Sequence, residues 1–239
     1  MEQREIYQRY AERYHELVRA EDHEQNLARA LPELVRLAGR RVVEVGAGTG
    51  RVTQILLDAG ARVWATEREL AMIKVAEREL RRPEDGRLTI IRASADALPL
   101  ADDFVELAVA GWVFGHMRKW MPDDWRAGIG AAIRDIQRVL RPGGELVIIE
   151  TLGTNSETPS PSPSLAEYYA WLEEHVGLTR AAIRTDYAFA DVEAAAETLG
   201  FFFGAEMASR VRARGSAIVP ECTGIWSGVP RLRADSTAS

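Results

Sequence analysis

Residues 42–51 read VVEVGAGTGR. A run of valines feeds directly into three glycines, Gly46, Gly48 and Gly50. A short apolar run bounded by turn residues predicts a buried strand, Arg41 to Val45. Without Cβ atoms the loop after it can turn sharply and touch a ligand. What that loop holds decides both fold and function.

Outward from the loop, helices and strands alternate. Residues 51–59 predict a helix stopping at Gly60, and ARVWAT (61–66) a second strand. Residues 69–81 put Met72, Ile73, Ala76 and Leu80 on one helical face. RLTIIRA (87–93), VELAVAG (105–111) and ELVIIE (145–150) read as further strands. Between the last two, Pro122 opens a predicted helix with an apolar stripe of Trp125, Ile129, Ile133, Ile136 and Leu140, and RPGG (141–144) is a turn. Upstream, residues 3–20 and 24–38 predict two helices. Strands that alternate with helices pair in parallel through right-handed crossovers, with helices on both faces. Ligands on such sheets bind beyond the carboxyl ends of the strands, where strand order reverses.

After Thr151 the texture changes. GTNSETPSPSPS (153–164) is a loop too polar to pack. Residues 165–176 and 191–199 predict helices, 181–189 and 216–226 strands, and the tail ADSTAS a frayed end. The expected organisation is one domain. Residues 1–38 form a helical lid, 39–150 the ligand-binding core, 151–232 a variable substrate side, and 233–239 a flexible tail.

Composition bounds the function. The 239 residues are 46% hydrophobic, enough for one full core. No apolar run approaches the ~20 residues of a membrane span, and the charged amphipathic start is not a secretory signal. Net charge is −6, with no basic face of the kind that neutralises nucleic-acid phosphates. Cys222 is the single cysteine, and no Cys/His cluster has metal-binding spacing. A cytoplasmic protein with a small-molecule substrate, no nucleic acid, no membrane and no metal is the expectation.

The loop itself is G-x-G-x-G. A dinucleotide fingerprint is G-x-G-x-x-G, and a phosphate loop needs Lys-Ser/Thr after its glycines. Neither pattern is met. Glu44 lies two residues before Gly46, where a carboxylate would repel pyrophosphate. It would attract an ammonium group, directly or through water. A phosphate-free nucleoside carrying an amino acid, S-adenosylmethionine, fits better. Glu67 ends the second strand, 21 residues after Gly46, where a carboxylate can accept from both ribose hydroxyls. Asp96 follows the third strand. It could accept from the adenine amino group while the Ala97 N–H donates to the ring.

These residues carry a resemblance. VVEVGAGTGR (42–51), the acid of ATERE (65–69), ADALPL (95–100) and RVLRPGGELVI (138–148) are similar to class I S-adenosylmethionine-dependent methyltransferases. Within them the chain resembles the small-molecule group that includes ubiquinone/menaquinone-biosynthesis enzymes. QRYAERYHEL (8–17) resembles that group's N-terminal helix, so the likeness covers roughly residues 5–150. It implies a Rossmann-like, doubly wound, mostly parallel seven-stranded sheet with helices on both faces and an antiparallel last strand. It implies that Gly46, Ala47 and Gly48 hold the methionine part of the cofactor, with Glu44 beneath. Glu67, with Arg68 beside it, would take the ribose. Met72 would flank the adenine, Asp96 and Ala97 would read its edge, and Gly111 would lie near the amino group and sulfonium.

The acceptor side is less determined. His116 in AGWVFGHMRKW lies just past the fourth strand, where substrate meets donor. Its ordinary pKa of ~6.5 suits a general base, and a structural histidine is the equal alternative. Tyr7, Tyr10 and Tyr14 either lid the pocket or pack as an ordinary amphipathic face. Trp112, Trp120 and Trp125 are candidates for an aromatic wall, with core packing the favoured reading for Trp125. Glu150, Tyr169 and Asp186 are candidates in the substrate half; both acids in the cavity would favour an amine substrate. The function expected is methyl transfer to N, O, S or activated C of a small molecule. An RNA or protein methyltransferase and a non-catalytic S-adenosylmethionine-binding module stay open beside it, while a dehydrogenase is disfavoured by the glycine spacing and Glu44.

Overall fold

The computed structural model describes residues 3–81 and 83–232. Arg41–Val45 forms β1, buried at its last four positions. It pairs in parallel with β2 (Arg62–Glu67) on one side and β4 (Val105–Gly111) on the other. β3 (Leu88–Arg92) continues the parallel sheet beyond β2, and β5 (Leu140–Thr154) beyond β4. β9 (Glu221–Gly228) runs antiparallel to both β5 and β6 (Thr179–Arg184). The order is β3-β2-β1-β4-β5-β9-β6, the expected seven-stranded Rossmann-like sheet. Strand order reverses between β1 and β4, so the crevice of such a fold opens where the glycine loop leaves β1.

Successive strand residues point to opposite faces, and each face is sealed by helices. On one, Val43, Val45, Ala108 and Ile148 pack with Trp125, Ile129, Ile133 and Ile136 of α7 (Trp125–Val139). On the other, Val42, Leu107 and Val147 pack with Leu27 and Leu31 of α3 (Asn26–Leu34) and Leu56 of α4 (Arg51–Asp58). Burial on both faces explains why the strands read as continuous apolar runs rather than alternating ones.

Several boundaries differ from expectation. The predicted helix over 3–20 breaks at Tyr10 (φ −125°) into α1 (Gln3–Arg9) and α2 (Ala11–Ala20). Amphipathic spacing continues across the break, so periodicity alone does not reveal it. α7 starts three residues after Pro122, behind Asp124. RPGG is a bulge within β5. Register passes from Val105↔Leu140 to Leu107↔Glu145, and Gly143 (φ +77°) turns the chain. The strand expected over 181–189 stops at Arg184 and resumes as β7 (Tyr187–Ala188), which pairs with β8 (Ile218–Val219). A helix not foreseen, α10 (Ala205–Arg214), follows α9 (Val192–Phe203) after Gly204. With Leu17 of α2, Tyr187 and Val219, these two helices build a small separate core.

Most of the polar loop after β5 stays at the surface, with 157–160, 162 and 163 exposed, but it is tied down at one point. Asn155 is buried. Its Oδ1 accepts from Arg214 Nε at 2.6 Å, and Glu157 accepts from Arg214 and Arg184 at 2.9 and 3.0 Å. Arg214 and Arg184 thus hold this part of the loop against β6 and α10. The tail 233–239 lies outside the described residues. No described helix is long and apolar enough to cross a membrane.

Candidate active site

A cavity of about 270 Å³ opens at the carboxyl ends of β1, β2 and β4. Gly46 and Gly48 line it with φ of +71° and +56°, a region that favours glycine. A Cβ on Gly46 would lie 2.4 Å from Val113 Cγ2, so the loop can follow this path only without one. Ala47 does not line the cavity. Its N–H donates to the Thr66 carbonyl at 2.9 Å and pins the loop to β2.

Glu67, the last residue of β2, faces the cavity. Its Oε2 accepts from the Gly48 N–H at 2.9 Å and its Oε1 from the Glu69 N–H at 2.8 Å. Each oxygen keeps a further lone pair for a ligand hydroxyl. Arg68 lines the same wall, as does the side chain of Met72 from α5 (Leu70–Glu79), which is 2% exposed. Asp96 reaches the cavity with Oδ1 accepting from the Ser94 hydroxyl. Ala97 does not reach it: its N–H closes a turn onto the Ser94 carbonyl at 3.2 Å. Gly111 lines the cavity at the end of β4. Trp112 follows with φ +55°, held there by its N–H donating to Ile149 O at 2.7 Å. A positive φ at a bulky residue is strained; Trp112 lines the cavity, and the Arg51 guanidinium lies 4.1 Å from the centre of its ring.

Glu44 is not brought to the cavity. It is 2% exposed and accepts from the Thr53 hydroxyl of α4 at 2.6 Å. Burial raises its pKa to about 7 against that hydrogen bond. A direct contact with a ligand ammonium is therefore not what this geometry offers; Glu44 ties β1 to α4 beneath the loop.

The opposite end of the cavity is aromatic. α6 (Phe114–Trp120), a short helix not foreseen from the sequence, carries His116 and Trp120, whose rings stack 5.6 Å apart. Tyr7 of α1 reaches across to place its hydroxyl 2.8 Å from His116 Nε2. Tyr14 meets the Tyr7 ring edge-on at 5.2 Å. Burial, with Lys119 adding to it, lowers His116 to about 3, far below the ordinary value assumed from sequence. The imidazole is neutral at any physiological pH. Val113, His116, Met117, Trp120 and Met121 all line the cavity at spacings of three and four. That helical stripe was present in the sequence and is the signal that reveals Met117 and Met121.

Four substrate-side candidates lie elsewhere. Tyr10 packs on Phe201 at 5.6 Å. Glu150 is buried behind α6, where its Oε1 accepts from the Gly115 N–H at 2.8 Å. Tyr169 of α8 (Pro163–Trp171) is buried against Trp226 and donates to the Thr151 carbonyl. Asp186 is bidentate to Arg184 and accepts from the Glu221 N–H. Since neither Glu150 nor Asp186 lines the cavity, the acid pair that would have favoured an amine is absent from its wall.

The buried carboxyls make stability depend on pH. Burial raises Glu150 to about 8, only partly offset by the Gly115 and Phe114 N–H groups. Glu44 and Glu150 thus hold protons that the unfolded chain has already released. Their contribution is complete below about pH 4.5 and is lost as pH rises through 7 to 8. Urea midpoints should fall between about pH 5 and 8 and level off above, and Glu150→Gln should make that fall shallower. An identical slope in the variant would contradict this assignment.

Comparison with known proteins places this geometry. Residues 43–148 match the family described as "Methyltransferase domain". An uncharacterised methyltransferase of Mycobacteroides abscessus is 37% identical over 120 residues, covering 50% of this chain and 43% of that protein. The match thus spans less than half of that relative's length. A ubiquinone/menaquinone biosynthesis C-methyltransferase of Syntrophotalea carbinolica is 28% identical over 72% of this chain and 68% of its own. A solved structure of a methyltransferase from Anaeromyxobacter dehalogenans, described as putative type II, has the same fold. Its TM-score is 0.60 at 20% identity, over 87% of this chain and 96% of that one. With the glycine loop, Glu67 and Asp96 gathered on one cavity of this sheet, the chain is similar to class I S-adenosylmethionine-dependent methyltransferases, and residues 43–148 match a methyltransferase domain.

Proposed function

We propose that the chain methylates a small molecule, with S-adenosylmethionine held by Gly46, Gly48, Glu67, Arg68, Met72, Asp96 and Gly111. The acceptor lies against Tyr7, Tyr14, Trp112, His116 and Trp120. One observation carries this reading: both groups of residues line the same cavity of about 270 Å³. That volume, closed over by α1, suits a compact acceptor better than a folded polymer. The net charge of −6 argues the same way against RNA.

When bound, S-adenosylmethionine supplies a methyl group already activated on a sulfonium. The chain's own task is then mainly to orient the acceptor and exclude water. His116 presents a neutral nitrogen, now occupied by the Tyr7 hydroxyl, which an acceptor O–H, N–H or S–H can replace. Its lowered basicity makes it an orienting acceptor that takes a proton only as the acceptor loses it. General bases contribute ~10²–10⁴-fold, and such a weak one belongs at the low end. His116→Gln should therefore lower kcat about a hundredfold and change S-adenosylhomocysteine affinity less than about twofold. Full turnover in the variant would remove His116 from the mechanism.

The function is tested with methyl-labelled S-adenosylmethionine and a panel of phenols, quinols, thiols and amines. Label in at least one small molecule is expected. Label found in RNA or protein and in no small molecule would overturn the reading.

A further inference from the structure

Glu150 is a buried acid on β5 that the proposed chemistry does not use. It lies directly behind α6, the helix that carries His116 and Trp120. That helix depends on support from outside its own sequence. It has seven residues, and a helix shorter than about 12–15 is marginal in isolation. Its N-cap residue, Val113, makes no side-chain hydrogen bond to the first turn. The N–H groups of that turn therefore need another acceptor.

Glu150 supplies one from the sheet. Its Oε1 accepts from the Gly115 N–H at 2.8 Å, and the Phe114 N–H also bears on the carboxyl. The fit is close. A Cβ on Gly115 would lie 2.7 Å from Glu150 Oε2, so a glycine lets the start of the helix rest on the carboxyl. This contact is on the back of α6, where Phe114 and Gly115 are buried. The front is one residue away: Val113, His116, Met117 and Trp120 line the cavity. α6 has two further anchors. Phe114 packs in the core, a contact without direction. Arg118 pairs at 2.8 Å with Glu167 of α8, which is exposed, and such pairs contribute at most about 1 kcal/mol. The hydrogen bond to Glu150 is directional and shielded from water.

We propose that Glu150 is the positioning residue of the acceptor wall: by accepting from the Gly115 N–H it fixes the start of α6 and so aims His116 and Trp120 into the cavity. Its consequence for turnover rests on the reading of His116 as the group that orients the acceptor. The titratable groups that act on the carboxyl are Tyr168 and Tyr169 of α8, Lys119 of α6 and Tyr7 of α1. All of them stay in place in the variants below.

The test follows the His116 imidazole of the full chain by nuclear magnetic resonance, with S-adenosylhomocysteine affinity measured by calorimetry. In the parent, burial holds His116 at about 3. It should therefore not titrate between about pH 5 and 8. Glu150→Leu removes the acceptor at similar volume. The start of α6 should loosen, water should reach the imidazole, and its titration should rise toward the ordinary ~6.5. Glu150→Gln keeps a carbonyl that accepts from the Gly115 N–H, so it should hold His116 as the parent does. Both variants remove the same carboxyl, so its charge does not account for a difference between them. S-adenosylhomocysteine affinity should change less than about twofold in either, because Glu67 and the glycine loop lie at the other end of the cavity. On an acceptor found with the labelled-methyl panel, kcat should fall at least about tenfold in Glu150→Leu, since a misplacement of ~1 Å can cost ~10²-fold. Glu150→Gln should restore most of that loss.

Gly115→Ala tests the same contact from the helix side, its Cβ pushing the start of α6 off Oε2. It too should raise the His116 titration, and it decides the matter if Glu150→Leu does not fold. The proposal is overturned if His116 stays untitrated in Glu150→Leu or, should that variant not fold, in Gly115→Ala. It is equally overturned if Glu150→Gln releases His116 as leucine does. Loss of S-adenosylhomocysteine binding in Glu150→Leu would also overturn it, because the role would then be general to the fold. The imidazole titration needs no methyl acceptor, so a panel without labelled product overturns the proposed function and leaves this result standing.

Discussion

Glu67→Ala should lower the affinity for S-adenosylhomocysteine at least about a hundredfold, measured by calorimetry. Two losses combine. The ligand loses an acceptor for its ribose hydroxyls, and hydrogen bonds to a charged group are each worth ~1.5–3 kcal/mol. The protein also loses the carboxylate that accepts from the N–H groups of Gly48 and Glu69, at 2.9 and 2.8 Å. The loop and the start of α5 then have no common anchor. Glu67→Gln separates the two losses. It keeps one oxygen to accept from a loop N–H but replaces the other with a donor. It should therefore bind more weakly than the parent and more tightly than the alanine variant. Affinity unchanged by Glu67→Ala would refute the assignment of this residue to the cofactor.

Trp226→Ala should destabilise the protein by about 3–5 kcal/mol, the range for deleting a large buried aromatic. Trp226 is fully buried on β9, where it pairs with Ile148 of β5 and Arg180 of β6. Its ring lies 4.5 Å from that of Tyr169, and its Nε1 donates to Glu173 at 3.0 Å. No neighbour can collapse into the space easily, because the strand on either side is fixed by its ladder. A Cβ on Gly224 would lie 2.5 Å from the indole, so the ring already occupies the room beside that glycine. Trp226→Phe, which keeps the stacking but not the hydrogen bond, should lose much less. Denaturant midpoints for the three proteins give the comparison, and a loss below about 1 kcal/mol for alanine would show that the site closes up.

How much of this was legible in the sequence depended on the range of the cause. β1, the glycine loop and Glu67 follow from local chemistry at short spacing: a buried run, a turn without Cβ atoms, an acid at the end of the next strand. The seven-stranded order follows from alternation plus the family likeness. Glu150 shows where such reading stops. Strand alternation puts it on the face of Leu146 and Ile148, toward α7, but whether a cavity or a helix lies there depends on α6. Asp186 was placed by Arg184, two residues earlier, and Tyr10 by a single-residue helix break. His116 lines the aromatic end of the cavity, and its basicity depends on burial in the chamber that closes around it, with Lys119 adding to the effect. Such burial is a property of the assembled fold.

The position of β9 has a consequence for synthesis. The strand wedged between β5 and β6 is residues 221–228, so the ribosome supplies the interior of the sheet after both of its neighbours. Translation at ~5–20 residues per second leaves the edge of β5 without its partner for roughly 4–15 s. For that interval the nascent chain presents an open apolar strand, the kind of edge that recruits other strands. The helices α8, α9 and α10, made in the same interval, are the first helices available to shield it.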